Sequence, residues 1–146
     1  MTRLVHFSLL LILVLSSFGV YGCSPARSGS GHDVAMGDMS MLPADIQSAP
    51  TRVREAYQFA LANADALKNV PCYCGCGAIG HRSNYDCFIQ NAPGDGKVVF
   101  DRHALGCSLC IDIAQDVRKA MKEGRAPPEI RQAIVATYSA FGPPNQ

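Results

Sequence analysis

The chain has 146 residues, 48% of them hydrophobic, and 13 Lys+Arg stand against 12 Asp+Glu. That length allows one domain of ordinary size, and so even a charge balance offers no footprint for a nucleic-acid partner. The anomaly is seven cysteines, accompanied by no serine–histidine–acid arrangement and no phosphate-binding loop.

Residues 1–22 read as a lipoprotein-type signal peptide. Arg3 precedes an apolar run from Phe7 to Val20 that is too short for a comfortable transmembrane span. Val20-Tyr21-Gly22-Cys23 then resembles a lipoprotein processing site with Cys23 as the lipidated residue. This places the mature protein outside the cytoplasm, in the cell envelope, with the membrane as a partner through its acyl chains. Residues 23–49 are rich in Ser, Gly, Ala, Pro and Met without periodicity and are expected to form a flexible tether. Within it His32, Met36, Met39 and Met41 offer soft donors that suit Cu(I), although their spacing imposes no geometry.

A domain is expected over residues 50–142, with 143–146 as a tail. Pro50 to about Leu67 carries Val53, Tyr57, Ala60, Leu61, Ala64 and Leu67 at three- and four-residue steps, the pattern of an amphipathic helix. Pro71 ends it, because the residue before a proline disfavours the helical region. Ser83-Asn84-Tyr85-Asp86 matches a helix-capping pattern, so a short helix should carry Cys87 and Phe88. Asn91–Gly96 is a turn by composition, and Lys97–Phe100 is a brief extended piece with no evident partner strand. A second long helix begins between Asp101 and Cys107 and runs to Glu123, with Gly124 as its stop. A third starts at Pro127 or Pro128 and buries Ile130, Ala133, Ile134, Tyr138 and Phe141. The fold class is all-α: a small helical domain with an irregular cysteine-rich centre.

Two clusters carry the chemistry. In Pro71-Cys72-Tyr73-Cys74-Gly75-Cys76-Gly77, three thiols fall within five residues. An extended strand would space them about 7 Å apart. Sharing a metal at about 2.3 Å from each sulfur requires the chain to bend, and Gly75 and Gly77 allow it. In the second cluster His103, Cys107 and Cys110 stand at i, i+4, i+7, one face of a helix. A helix starting nearer Gly106 instead places both thiols in its first turn, where the dipole favours thiolate. His81 follows the first cluster and is a further candidate ligand. Ile111 stands where a covalent haem site needs histidine, which argues against that use of the CxxC spacing. Asp86, Asp101 and Asp112 read as caps and salt-bridge partners.

With these residues in hand, the chain resembles the PCYCGC-motif lipoproteins, small exported bacterial proteins without a settled activity. The resemblance rests on Pro71 to Gly77, His81, Ser83-Asn84, Asp86-Cys87-Phe88, His103, Gly106-Cys107, Cys110 and Asp112-Ile113-Ala114. It implies an extracytoplasmic, lipid-anchored, thiol-rich protein and supplies no substrate.

Soft-metal binding is the leading expectation. Its ligands are Cys72, Cys74, Cys76, Cys87, Cys107 and Cys110, with His81 or His103 assisting. Six sulfurs exceed the four that one tetrahedral zinc needs, so a thiolate-bridged Cu(I) cluster is favoured and zinc is the alternative. The role would be copper buffering, delivery or detoxification, with a copper-handling protein as partner. The other two readings are a thiol–disulfide oxidoreductase, which lacks a surrounding thioredoxin-like pattern, and a disulfide-stapled structural or interaction domain.

Overall fold

The structure is a computed structural model and describes residues 31–92 and 97–145. The expected signal peptide, Cys23 and residues 24–30 lie outside the described residues. Five α-helices are present among them: α1 (Ala44–Gln47), α2 (Thr51–Ala62), α3 (Ala64–Lys68), α4 (Ser108–Lys122) and α5 (Pro127–Tyr138). None is long and apolar enough to cross a membrane. Two short strands, β1 (Ile89–Asn91) and β2 (Val99–Phe100), pair antiparallel.

The helical stripes read from sequence account for most of the packing. On α2, Ala56, Tyr57, Phe59 and Ala60 are buried, and on α4 Cys110, Ile111, Ile113, Ala114 and Val117. These two helices pack together and are tied at their polar margin. Arg118 contacts Glu55 at 2.8 Å, Arg52 contacts Asp112 at 2.5 Å, and Gln115 donates to the Arg52 carbonyl at 2.9 Å. Gly124, at φ 73°, stops α4 as expected. Then α5 returns along α4, opened by Pro127 and by Glu129, whose Oε2 accepts from the Ala126 N–H at 3.2 Å. Ile130, Ile134 and Tyr138 bury its inner face. Phe141 departs from the expectation: it is 66% exposed, because the last turn tightens to a 3₁₀ turn over Ser139–Phe141 and leaves the stripe.

Three further differences matter. The expected single helix from Pro50 to Leu67 breaks at Asn63 (φ −131°, ψ 49°), whose side chain donates to the carbonyls of Phe59 and Ala35. The extended piece does find a partner: Ile89 pairs with Phe100, in a two-strand clip too brief for sequence periodicity to show. The largest difference is in the expected tether over 23–49. From residue 31 onward the chain is a strap built into the fold. His32 N–H donates to the Lys122 carbonyl at 2.9 Å and Gly37 N–H to the Gln58 carbonyl at 2.8 Å, while Gln58 Nε2 returns a bond to the Gly37 carbonyl at 2.9 Å. Val34, Leu42 and Ile46 are buried. A Cβ at Gly37 would lie 2.7 Å from Leu61 Cδ2, so the strap runs closer to α2 than any side chain there would permit. Of the methionine series, Met39 and Met41 stay exposed.

Candidate metal centre

Pro71 releases the chain from α3 into the cysteine-rich loop. Gly75 adopts φ 79°, a left-handed conformation that favours glycine, and turns the chain into a 3₁₀ turn over Cys76–Ile79. The second bend is at Gly80 (φ 90°) and not at Gly77, which does not take a positive φ. Curling brings Cys72 Sγ to 3.3 Å from Cys74 Sγ, about half the spacing an extended strand would give.

The remaining donors arrive on separate elements. The expected short helix carrying Cys87 is a single 3₁₀ turn over Tyr85–Cys87, with Phe88 as its C-cap. Asp86 holds that turn by accepting from the Arg82 and Ser83 N–H groups at 2.7 and 3.1 Å. Cys87 Sγ then lies 3.6 Å from Cys76 Sγ. Cys107 is the N-cap of α4 and Cys110 falls in its first turn, the second of the two placements the spacing allows. His103 lies just upstream in a 3₁₀ turn over His103–Gly106, fixed by its own N–H donating to Asp101 Oδ1 at 2.7 Å.

These pieces converge. Cys72 and Cys110 approach to 3.5 Å, Cys74 and Cys110 to 3.5 Å, and His103 Nε2 lies 3.5 Å from Cys74 Sγ. Two groups of donor atoms result, each with all members within 4.8 Å of one another: Cys72, Cys74, Cys76 and Cys87, and Cys74, His103, Cys107 and Cys110. Cys74 belongs to both. Thiolates about 2.3 Å from a tetrahedral ion lie about 3.8 Å apart, so donors within 4.8 Å of one another need to draw in by no more than about 1 Å to close around one ion per group. The six thiols are free, and 3.3 Å is well beyond the length of about 2.05 Å for a disulfide.

His81 takes a different position. It is buried and belongs to neither group; its Nε2 lies 3.4 Å from Asp101 Oδ2, and its ring meets that of His103 edge-on with centroids 5.3 Å apart. Asp101 thus touches both histidines and accepts the Tyr57 hydroxyl at its carbonyl, 2.8 Å away, which pins the His103 turn to the aromatic core. Asp101 is a positioning residue, in line with the capping role expected for it.

Two asparagines were not foreseen. Asn84 is fully buried and donates from Nδ2 to the Cys110 carbonyl at 3.2 Å. Asn145, in the expected tail, accepts the Cys72 N–H at 2.6 Å, donates its own N–H to the Cys72 carbonyl at 3.0 Å, and places Nδ2 3.4 Å from Cys76 Sγ. The sequence marks Asn84 only as part of a capping pattern and of the family resemblance, and no local pattern marks Asn145; the contacts of both with the cysteines arise across the tertiary fold.

The electrostatics follow from packing thiols together away from water. Hydrogen bonds from Cys110 and Cys87 hold the Cys72 thiol below its ordinary range, which makes Cys72 the member of the cluster that favours negative charge. Cys110 is pushed up by its bonds with Cys72 and Cys87 and then by burial. On Cys87 the bond with Cys110 acts downward, but Cys72 and burial outweigh it and the net shift is upward. Burial raises Cys74 and Cys76. The helix dipole expected to favour thiolate at Cys110 is therefore overridden: a second negative charge beside Cys72 costs more than the dipole returns. A metal cation would reverse this balance by supplying positive charge at the point where the sulfurs meet. A separate cavity of about 670 Å³, lined by His32, Val34, Asp65, Met121 and Arg125 among others, contains none of these donors.

The fold and site define a small helical protein whose thiol-rich centre could hold metal. The chain belongs to the family described as "Protein of unknown function with PCYCGC motif", which matches residues 12–146. No curated protein and no solved structure matches it.

Proposed function

We propose that this protein binds a pair of soft-metal positions in one thiolate-bridged centre and handles Cu(I) outside the cytoplasm, anchored to the membrane through Cys23. The observation that carries the reading is the convergence of all six described cysteines with His103 into two four-donor groups that share Cys74. Seven donors with one shared supply the eight coordination places of two tetrahedral ions. Thiolate and imidazole donors select Cu(I) and Zn(II) over hard cations.

Charge sets how much metal the centre takes. Six thiolates against two divalent ions leave a residual charge of −2, and four monovalent ions leave the same. Two Cu(I) ions alone would leave −4 in a largely buried centre, a costly excess. The centre is accordingly expected to load about two Zn(II) or about four Cu(I), the copper ions bridged by shared sulfurs. Copper is preferred because an exported thiol cluster needs a tightly held ion to keep it from oxidation, and the chain also carries exposed Met39 and Met41, thioether donors of the Cu(I) type.

The oxidoreductase reading draws less support from the described thiols whose pKa is shifted. Its nucleophile would be an exposed, low-pKa thiol, whereas the thiol held low is the fully buried Cys72, and half-buried Cys74 is raised.

Anaerobic titration of the reduced protein with Cu(I) and with Zn(II), against chelators of graded affinity, tests the reading. About four Cu(I) bound in preference to about two Zn(II) is expected. One ion per chain, or no preference for copper, refutes it. Cys23→Ser is expected to release the protein from the membrane fraction with metal loading unchanged; membrane retention would overturn the anchor.

A further inference from the structure

The two positions of the centre are unequal. The first group draws on Cys72, Cys76 and Cys87, each 3% exposed or less. The second draws on half-buried His103 and Cys107, with buried Cys110 behind them. Bridging Cys74 is itself half-buried and lies on the boundary. Asn145 adds to the difference by clasping only the first group. Its side chain and backbone together hold both polar backbone atoms of Cys72, and its amide stands 3.4 Å from Cys76 Sγ and 3.3 Å from the Ser83 carbonyl. The Ser83 carbonyl also accepts from Cys87 Sγ, at 3.9 Å. One residue from the C-terminal tail therefore holds two of the four inner ligands directly and shares the Ser83 carbonyl with a third, Cys87.

We infer that the outer position, formed by Cys74, His103, Cys107 and Cys110, is where metal is exchanged with a thiolate- or imidazole-bearing acceptor, while the inner position, latched by Asn145, retains its ion. This rests on the two-position reading above. Exchange is ligand substitution: an incoming thiolate or imidazole bonds the ion as Cys107 or His103 leaves, and each freed thiolate takes up a proton from water. No electrons move, so no oxidant or reductant is needed. An acceptor can reach the outer ligands directly, whereas reaching the inner ones requires the tail to lift. An N–H directed at a bound thiolate also lowers its availability to protons and competing metals, a contribution of about 10- to 100-fold for such outer-shell partners.

The test loads the full-length reduced protein with Co(II), whose visible absorption reports tetrahedral thiolate coordination, and follows its transfer to an excess of a chromophoric chelator. The expected result is two phases of equal amplitude, separated by at least about tenfold in rate. Asn145→Ala should speed the slow phase by about 10- to 100-fold and leave the fast one alone. His103→Ala should speed only the fast phase. Asn145→Asp keeps the oxygen that receives the Cys72 N–H but loses the donor facing Cys76; it should match Asn145→Ala in rate and shift the sulfur-to-cobalt charge-transfer band of the slow ion. Release of two ions in a single phase, or equal acceleration of both by Asn145→Ala, overturns the inference while leaving two positions standing. Binding of one Co(II) per chain sinks the two-position reading itself.

Discussion

Cys74→Ser is the most informative perturbation, because Cys74 is the only residue common to both donor groups among the described residues. A four-ligand structural zinc site in a small peptide is worth about 10–16 kcal/mol, or about 2.5–4 kcal/mol per ligand. Losing one ligand therefore weakens one ion by about 10²–10³-fold. Cys74→Ser removes a ligand from each group, so both stepwise constants should fall by that factor. Cys107→Ser removes a ligand from the outer group alone and should weaken one step while leaving the other near its original value. The two substitutions are chemically identical and both positions are half-buried, so folding effects are matched. The assay is competition against chelators spanning several decades of affinity, resolving both steps with Zn(II). If Cys74→Ser weakens a single step, the sulfur is not shared and the bridge is wrong. If Cys107→Ser weakens both steps equally, the division into two groups is wrong.

Cys74, Cys76, Cys87 and Cys110 all hold their protons above the ordinary thiol range in the metal-free fold, and metal must displace them. Apparent affinity should therefore rise as pH rises through neutrality, with proton release measurable in weakly buffered solution; a pH-independent affinity would contradict it. Cys72, held low, should add less to that count than the raised thiols. Ile46, fully buried in the strap, should cost about 2–5 kcal/mol when cut to alanine, read as a lowered thermal midpoint. Removing residues before 50 should lose far more, since Val34 and Leu42 go with it; an unchanged midpoint in either variant would mean that the strap does not support the fold.

The helices and the donors were legible from the amino-acid order alone, because each is a local property. The stripe Ile111, Ala114, Val117 needs only a 3.6-residue period, and Pro71, Gly124 and Pro127 punctuate it by their own backbone chemistry. Cysteine and histidine likewise announce their ligand chemistry wherever they stand. Periodicity could not reveal the strap, where Val34, Leu42 and Ile46 are single apolar residues in a polar, glycine- and methionine-rich stretch. Such residues count as core only once α2 and α4 supply the groove that buries them. The division of labour among the ligands was equally invisible. Cys72–Cys76 and Cys107–Cys110 are separated by a turn, a clip of strands and a 3₁₀ segment, and which sulfur is shared depends on how these close in space. Asn145 is the extreme case. Alone it is a tail asparagine, and it becomes a latch on Cys72 and Cys76 only because α5 returns the chain terminus to the loop that opens the site. Donor identity is written residue by residue, while donor grouping is a matter of distances that only the folded chain sets.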